Sequence, residues 1–141
     1  MPTISFEYFP PKTADGKTAL LERTTPALQA LDPGFFSVTY GAGGSTRDST
    51  FGIVSALCER GIDVAPHLSF GGDDENAISD LLQRYRDMGV RRLVALRGDM
   101  PSGMGGANQL VYASELVSFI REHSGDHFHI EVAAYPEIHP Q

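Results

Sequence analysis

The chain of 141 residues contains a single cysteine, Cys58, so neither a disulfide framework nor a thiolate zinc site can form within it. It has no apolar run of the roughly 20 residues that span a bilayer, and its first residues lack the basic and apolar regions of a signal peptide. The cytoplasm is therefore the expected compartment. The chain has 11 Lys and Arg residues against 18 Asp and Glu, which gives a net charge of −7. The Lys and Arg residues are scattered, so they form no basic stripe that could bind nucleic acid. We expect a globular protein with a small-molecule partner, and neither a membrane nor a nucleic-acid partner.

Five apolar, β-branched or aromatic segments predict β-strands, and an amphipathic helical pattern follows each of the first four. The predicted strands cover residues 3–9, 35–40, 62–70, 91–96 and 128–134. Repeated strand–helix units are typical of a parallel sheet with right-handed helical crossovers. The pattern predicts an α/β fold, which is either an open doubly wound sheet or part of a closed (βα)8 barrel.

Capping residues and glycines mark the expected helix boundaries. Polar residues precede the last three helical patterns and are expected to cap them: Ser45 or Thr46, Asp73 or Asp74, and Asn108, in chain order. Glycines follow the same patterns and are expected to end them: Gly61, Gly89 and Gly125. In the first pattern, over residues 15–31, Pro26 removes an N–H donor, so a kink or an interruption is expected there.

Small or polar side chains recur on one face of the predicted strands, while the other face is apolar. In chain order they are Glu7; Ser37 and Thr39; Ala65, His67 and Ser69; Ala95 and Arg97; and Ala133 and Tyr135. A barrel requires such two-sided strands, whereas strands covered by helices on both faces are almost continuously apolar. We therefore favour the barrel. Its upper rim would gather Glu7, Thr39, His67, Arg97, Asp99 and Tyr135.

Each of these residues also has a structural interpretation. Glu7 can be a buried carboxylate neutralised by Arg97, and a lone strand histidine such as His67 is more often structural than a ligand. No metal-binding set is convincing, and Cys58 lies on an apolar helix stripe, which indicates a core position. The glycine-rich residues 41–46 lack the third glycine of a dinucleotide fingerprint and the lysine of a P-loop, although their backbone amides could hold a phosphate.

Five segments resemble, in order, the signature segments of the methylenetetrahydrofolate reductase family. They read SFEYFPPK (5–12), SVTYGA (37–42), APHL (65–68), ALRGD (95–99) and AAYPEIHP (133–140). The resemblance implies a flavoprotein (βα)8 barrel of one-carbon metabolism, which serves methionine supply. Such an enzyme reduces 5,10-methylenetetrahydrofolate to 5-methyltetrahydrofolate, with electrons from NADH or NADPH passing through FAD.

The resemblance also implies roles for single residues. Glu7 would be the general acid that protonates a folate nitrogen, so that the five-membered ring opens to an iminium. An apolar strand environment disfavours an ionised carboxyl group, which suits a proton donor. Asp99 would lie by the flavin and the folate, where its charge favours the cationic iminium. The implied flavin contacts are Thr39, His67, Arg97, Gly98, Asp99, Tyr112, Ala113, Ala133, Tyr135 and His139.

The resemblance covers five of the eight strands of such a barrel, which needs about 250 residues. We therefore expect residues 1–141 to be the amino-terminal part of a single flavin-binding catalytic barrel domain. An incomplete barrel has open sheet edges, which invite association, so a homo-oligomer is expected. Two alternatives remain open. One is a non-catalytic fragment that binds flavin or nucleotide weakly or only self-associates, and the other is a complete five-stranded open α/β phosphate-binding domain.

Overall fold

A computed structural model describes residues 3–40, 44–70, 74–98 and 112–134. Five parallel strands form one sheet, in the order in which they occur along the chain. They are β1 (Ser5–Tyr8), β2 (Phe35–Val38), β3 (Val64–Leu68), β4 (Arg92–Ala95) and β5 (His129–Val132). Each predicted strand is confirmed, with shorter bounds than the apolar segment that predicted it.

The consecutive strand order decides between the two predicted architectures. A doubly wound sheet reverses its strand order at a switch point, whereas this sheet runs from β1 to β5 without a reversal. The open doubly wound alternative is therefore wrong. An α/β fold with a consecutive parallel sheet and four helices is consistent with part of a (βα)8 barrel wall.

The first helix, α1, is continuous rather than interrupted. Its α-helical segments Ala14–Ala19 and Thr25–Gln29 are joined by one π-helical segment, Leu20–Thr24. The Thr25 backbone N–H donates to the Leu20 carbonyl, which gives the wider π spacing just before Pro26. The missing N–H of Pro26 is thus accommodated by a local change of helix type, without a break.

The other helices are α2 (Gly44–Glu59), α3 (Glu75–Asp87) and α4 (Ala113–Ser124). Asp74 caps α3 as predicted, because its Oδ1 accepts from the Ala77 N–H at 2.7 Å. The three predicted glycine stops are confirmed by positive φ angles: Gly61, Gly89 and Gly125.

Two predicted helix starts are wrong. Helix α2 begins at Gly44, so Ser45 and Thr46 lie inside it instead of capping it. Helix α4 begins at Ala113, and the N–H of the preceding Tyr112 donates to Oε2 of Glu115 at 3.0 Å. Asn108, the predicted cap, precedes this start and lies outside the described residues.

The core lies between the helices and one face of the sheet, here called the outer face. Its strand residues are Tyr8, Phe36, Val38, Val64, Leu68, Leu93 and Ala95, all buried. They pack with the apolar stripes of α2, α3 and α4, whose most buried members include Val54, Leu57, Ile78, Leu82, Leu116 and Ile120. Cys58, expected in the core, is half-buried. Within the described ranges, no helix has the length and apolar character needed to cross a membrane.

Candidate active site

The other face of the sheet, here called the inner face, carries polar and small side chains on its first three strands. The register pairs Glu7 with Ser37 and Ser37 with Ala65, and paired residues of parallel strands point to the same face. His67 lies two residues beyond Ala65 and shares this face. The predicted polar face is therefore confirmed for β1, β2 and β3.

The predicted inner face of β4 is wrong. Val94 pairs with both His67 and Glu131, so Arg92 and Val94 point inward with them. Ala95 instead is fully buried on the outer face. Arg97 follows the end of β4 and is exposed. Alternation within this segment alone is compatible with either set of alternate residues facing inward. The pairing with β3 shows which set does.

Glu7 and His67 meet on the inner face near the carboxyl ends of their strands. Nε2 of His67 lies 3.3 Å from Oε2 of Glu7, although β2 separates the two strands. The intervening inner-face residue Ser37 is small, so the two longer side chains can meet across it. Among the described residues the ion-pair partner of Glu7 is His67, and its predicted pairing with Arg97 is not seen there.

The two partners differ in their exposure to solvent. The His67 side chain is 8% exposed, whereas that of Glu7 is 51% exposed. The apolar enclosure expected around Glu7 is therefore absent among the described residues. Burial lowers the pKa of His67, and the Glu7 carboxylate opposes this shift. The imidazole is thus neutral near pH 7, where an ordinary histidine is already mostly neutral.

The described flavin-contact candidates fall into two groups along the carboxyl edge of the sheet. The first group consists of residues that follow the ends of strands. Thr39 follows β2, where its N–H donates to Tyr8 O at 2.9 Å and its carbonyl accepts from the Thr50 hydroxyl at 2.8 Å. Ala133, which is exposed, follows β5. Gly98, which is buried, follows β4 beyond Arg97. Asp99, Tyr135 and His139 lie outside the described residues, as do residues 41–43 of the glycine-rich loop.

Arg97 and the start of α4 form the second group. The Arg97 guanidinium carbon lies 5.5 Å from the centroid of the Tyr112 ring, which belongs to an exposed residue, and Ala113 is the first residue of α4. An accessible cation beside an aromatic ring and a helix N-terminus suits an anionic ligand with a planar ring system. These residues therefore fit a flavin nucleotide. Within the described residues, no three His, Cys, Asp or Glu side chains are grouped so that they could hold a metal ion.

The amino end of the inner face holds a polar cluster that the sequence did not predict. Nη1 of Arg92 donates to Oε1 of Glu131 at 2.9 Å, and its Nε lies 3.8 Å from Oδ2 of Asp63. His129 is exposed, and its Nε2 lies 3.1 Å from the same Glu131 oxygen. Correct assignment of the β4 face would have placed Arg92 on the inner face, although not its two contacts. Because catalytic sites of barrels lie at the opposite, carboxyl end, we interpret it as structural.

The fold and the site together define an α/β protein of the barrel type, with its polar site at the carboxyl ends of parallel strands. Comparison with known families is more specific: the family model of methylenetetrahydrofolate reductase matches residues 1–141. The chain belongs to the methylenetetrahydrofolate reductase family.

Known relatives agree with this assignment. The chain is 43% identical to 5,10-methylenetetrahydrofolate reductase of Pectobacterium carotovorum and 40% identical to that of Escherichia coli K12, in each case over 98% of the chain and 45% of the relative. It is 40% identical to methylenetetrahydrofolate reductase (NADH) 1 of Arabidopsis thaliana, over 97% of the chain and 24% of that protein. The chain thus spans less than half the length of these relatives.

Proposed function

We propose that the whole protein reduces 5,10-methylenetetrahydrofolate to 5-methyltetrahydrofolate, with FAD as cofactor and NADH or NADPH as reductant. Residues 1–141 would then be the amino-terminal part of its single flavin-binding barrel domain. Family membership supports the reaction, and the names of the relatives, one of which specifies NADH, support the substrate and the reductant. A cytoplasmic location and a homo-oligomeric state stay predictions.

The observation that carries the proposal is the accessible Glu7 carboxyl group at the carboxyl end of β1, beside a buried imidazole. In the proposed reaction, the O–H bond of protonated Glu7 breaks and an N–H bond forms at a ring nitrogen of the folate. The C–N bond to that nitrogen then breaks, with its electron pair going to the nitrogen. The bridging carbon is left as an iminium on the other nitrogen and can accept a hydride.

The bound flavin would supply that hydride after its own reduction by the nicotinamide. Arg97 is the cation suited to the anionic part of the cofactor, and Tyr112 and Ala113 lie at the adjacent helix start. Thr39, His67, Gly98 and Ala133 would line the rest of the described edge, with Asp99, Tyr135 and His139 completing the set. The negative charge of Asp99 would favour the iminium.

The test separates the two halves of the reaction in the whole protein. Glu7→Gln should slow reoxidation of the reduced enzyme by methylenetetrahydrofolate by about 100-fold or more. Reduction by NADH or NADPH should change by less than about two-fold, because it needs no protonation of folate. Glu122→Gln, which removes an exposed carboxylate from α4, is the matched control and should leave both rates unchanged. Full folate turnover by Glu7→Gln would refute the acid assignment.

A second candidate applies to the 141-residue chain by itself: a non-catalytic fragment that self-associates or binds flavin weakly. Val132 lies on the edge strand β5 and is 57% exposed, and Ile4, which directly precedes the other edge strand β1, is 59% exposed. Exposed apolar residues on unpaired strand edges favour association. Sedimentation and visible absorbance of the isolated chain test this candidate. A colourless, inactive oligomer would support it, and a yellow monomer that oxidises NADH or NADPH would contradict it.

A further inference from the structure

We propose that His67 is a positioning residue for Glu7: its Nε2–H binds Oε2, so that Oε1 is the oxygen that carries the proton to the substrate. The inference rests on the proposed function, in which Glu7 is the acid. It assigns to the His67 side chain a role in proton transfer that is separate from any contact with the cofactor.

The layered geometry of the inner face brings these two residues together. Glu7 pairs with Ser37, and His67 lies one residue beyond Pro66, the partner of Val38. The contact of 3.3 Å therefore crosses β2 diagonally, between residues of alternate strands. In (βα)8 barrels, interior layers are built from alternate strands in this way. The strand register consequently places the two side chains on the same face, on either side of β2.

The imidazole is the fixed partner and the carboxyl group is the mobile one. All five residues of β3 are buried, and this strand is paired on both sides. Glu7 lies on the edge strand β1, its side chain is 51% exposed, and it has three rotatable bonds. Without a partner such a side chain samples several rotamers. A contact with the buried imidazole would restrict Glu7 to orientations in which Oε1 faces the open inner face.

A neutral histidine suits this role better than a permanent cation. Burial lowers the pKa of the imidazole, so His67 is neutral near pH 7. A neutral N–H can donate to a carboxylate oxygen, and it can also donate to the carbonyl oxygen of a protonated carboxyl group. An arginine at the same place would favour the ionised carboxylate and weaken it as an acid. His67 can therefore hold Glu7 before and after the proton leaves.

A double-mutant cycle in the whole protein tests the coupling. The variants are His67→Leu, His67→Gln, Glu7→Gln and the combination of His67→Leu with Glu7→Gln. Glutamine can place an N–H near the position of Nε2, whereas leucine removes the donor. Because His67 is also an expected flavin contact, bound flavin is measured first and every rate is expressed per bound flavin.

His67→Leu should slow reoxidation by methylenetetrahydrofolate about ten-fold or more, in kcat rather than in KM, because a misdirected acid transfers its proton less often. His67→Gln should stay within about three-fold of the unchanged protein. In the Glu7→Gln background, His67→Leu should add less than about two-fold, because the group it positions is no longer an acid. His129→Leu removes another His–Glu contact, at the amino end of the inner face, and should leave the rate unchanged.

Equal slowing by His67→Leu with and without Glu7 would overturn the inference while leaving Glu7 as the acid. A His67→Gln variant as slow as His67→Leu would also overturn it. Full folate turnover by Glu7→Gln would refute the assignment of Glu7 as the acid, and with it the positioning role of His67.

The contact between Glu7 and His67 can also be tested without measuring activity. NMR of the whole protein with isotope-labelled histidine can follow the titration of the His67 imidazole. Because the Glu7 carboxylate raises the pKa of His67, Glu7→Gln should lower it further. An identical titration in the two proteins would show that the side chains do not interact and would overturn the inference.

Discussion

Arg92 on β4 reaches across the inner face to Phe35 on β2, with its guanidinium carbon 4.4 Å from the ring centroid. On the intervening β3, the inner-face residue beside Arg92 is Ala65, which is small enough to permit the approach. The same guanidinium donates to Glu131 on β5 at 2.9 Å. One side chain therefore connects three strands at the amino end of the sheet, as Glu7 and His67 connect two strands near the carboxyl end.

Arg92→Ala should lower the free energy of unfolding by about 1–2 kcal/mol, because it removes a half-buried ion pair and a cation–π contact together. Urea denaturation measures the change. The neighbouring Arg91→Ala is the control, since Arg91 is exposed, and its effect should stay within about 0.5 kcal/mol. Equal effects of the two substitutions would show that the cluster does not stabilise the sheet.

Asp74→Ala should destabilise the chain by about 1 kcal/mol, because the Ala77 N–H at the start of α3 would lose its acceptor. The free energy of unfolding from chemical denaturation is the measurement. Asp80→Ala removes an exposed carboxylate from the same helix without affecting a cap, and we expect a change within about 0.5 kcal/mol. An Asp74→Asn variant should retain most of the stability, because its side-chain oxygen can still accept.

Local patterns explain why much of this fold could be predicted from the sequence. In β1, Glu7 interrupts an otherwise apolar and aromatic alternation, so its face can be assigned from single residues. Asp74 directly precedes the α3 pattern, and Gly89 follows it at the stop position. The consecutive strand–helix units then favour a parallel sheet without any knowledge of the strand pairing.

The parts that could not be predicted depend on relations between distant residues. In the β4 segment, Arg92 and Arg97 fall in different alternate sets of residues, which point to opposite faces. Alternation alone therefore does not show which of the two sets faces inward. The pairing of Val94 with His67 decides between them, and that pairing is a property of two strands. The contact between Glu7 and His67 likewise depends on the stagger of alternate strands. The sequence pattern placed both residues on the same rim, but their direct contact was not predictable.

Thr25→Val should destabilise the chain by about 1–3 kcal/mol, since it leaves buried polar groups without their partner. The Thr25 hydroxyl donates to Leu20 O at 2.8 Å and lies 2.9 Å from the Tyr8 hydroxyl, at a residue that is 1% exposed. It thereby connects the π-helical segment of α1 to β1. Thermal or urea unfolding measures the effect. Thr25→Ser keeps the hydroxyl and should be clearly less destabilising than valine, and the reverse order would refute the role of the hydroxyl.

Gly89→Ala and Gly52→Ala should have opposite effects. Gly89 has φ of +87° with open space around a new Cβ, so the substitution adds backbone strain alone and should cost about 1–2 kcal/mol. Gly52 lies inside α2, where a new Cβ would come 3.4 Å from Nζ of the flexible Lys17 side chain. Its replacement should stabilise the chain by about 0.5–1 kcal/mol through helix propensity. Chemical denaturation of both variants measures the signs, and destabilisation by Gly52→Ala would indicate that Lys17 cannot move aside.

The pH dependence of stability should report the buried His67. Its folded-state pKa lies below the unfolded value of about 6.5, because burial disfavours the charged imidazole. Between these two pKa values the unfolded chain binds more protons, so the free energy of unfolding should fall as the pH is lowered through this window. The contribution of His67 is fully present above about pH 7. Denaturation between about pH 5 and 8 should show this slope in the unchanged chain and in His129→Gln, but a shallower slope in His67→Gln. Identical slopes in all three proteins would mean that His67 is not buried as a neutral imidazole.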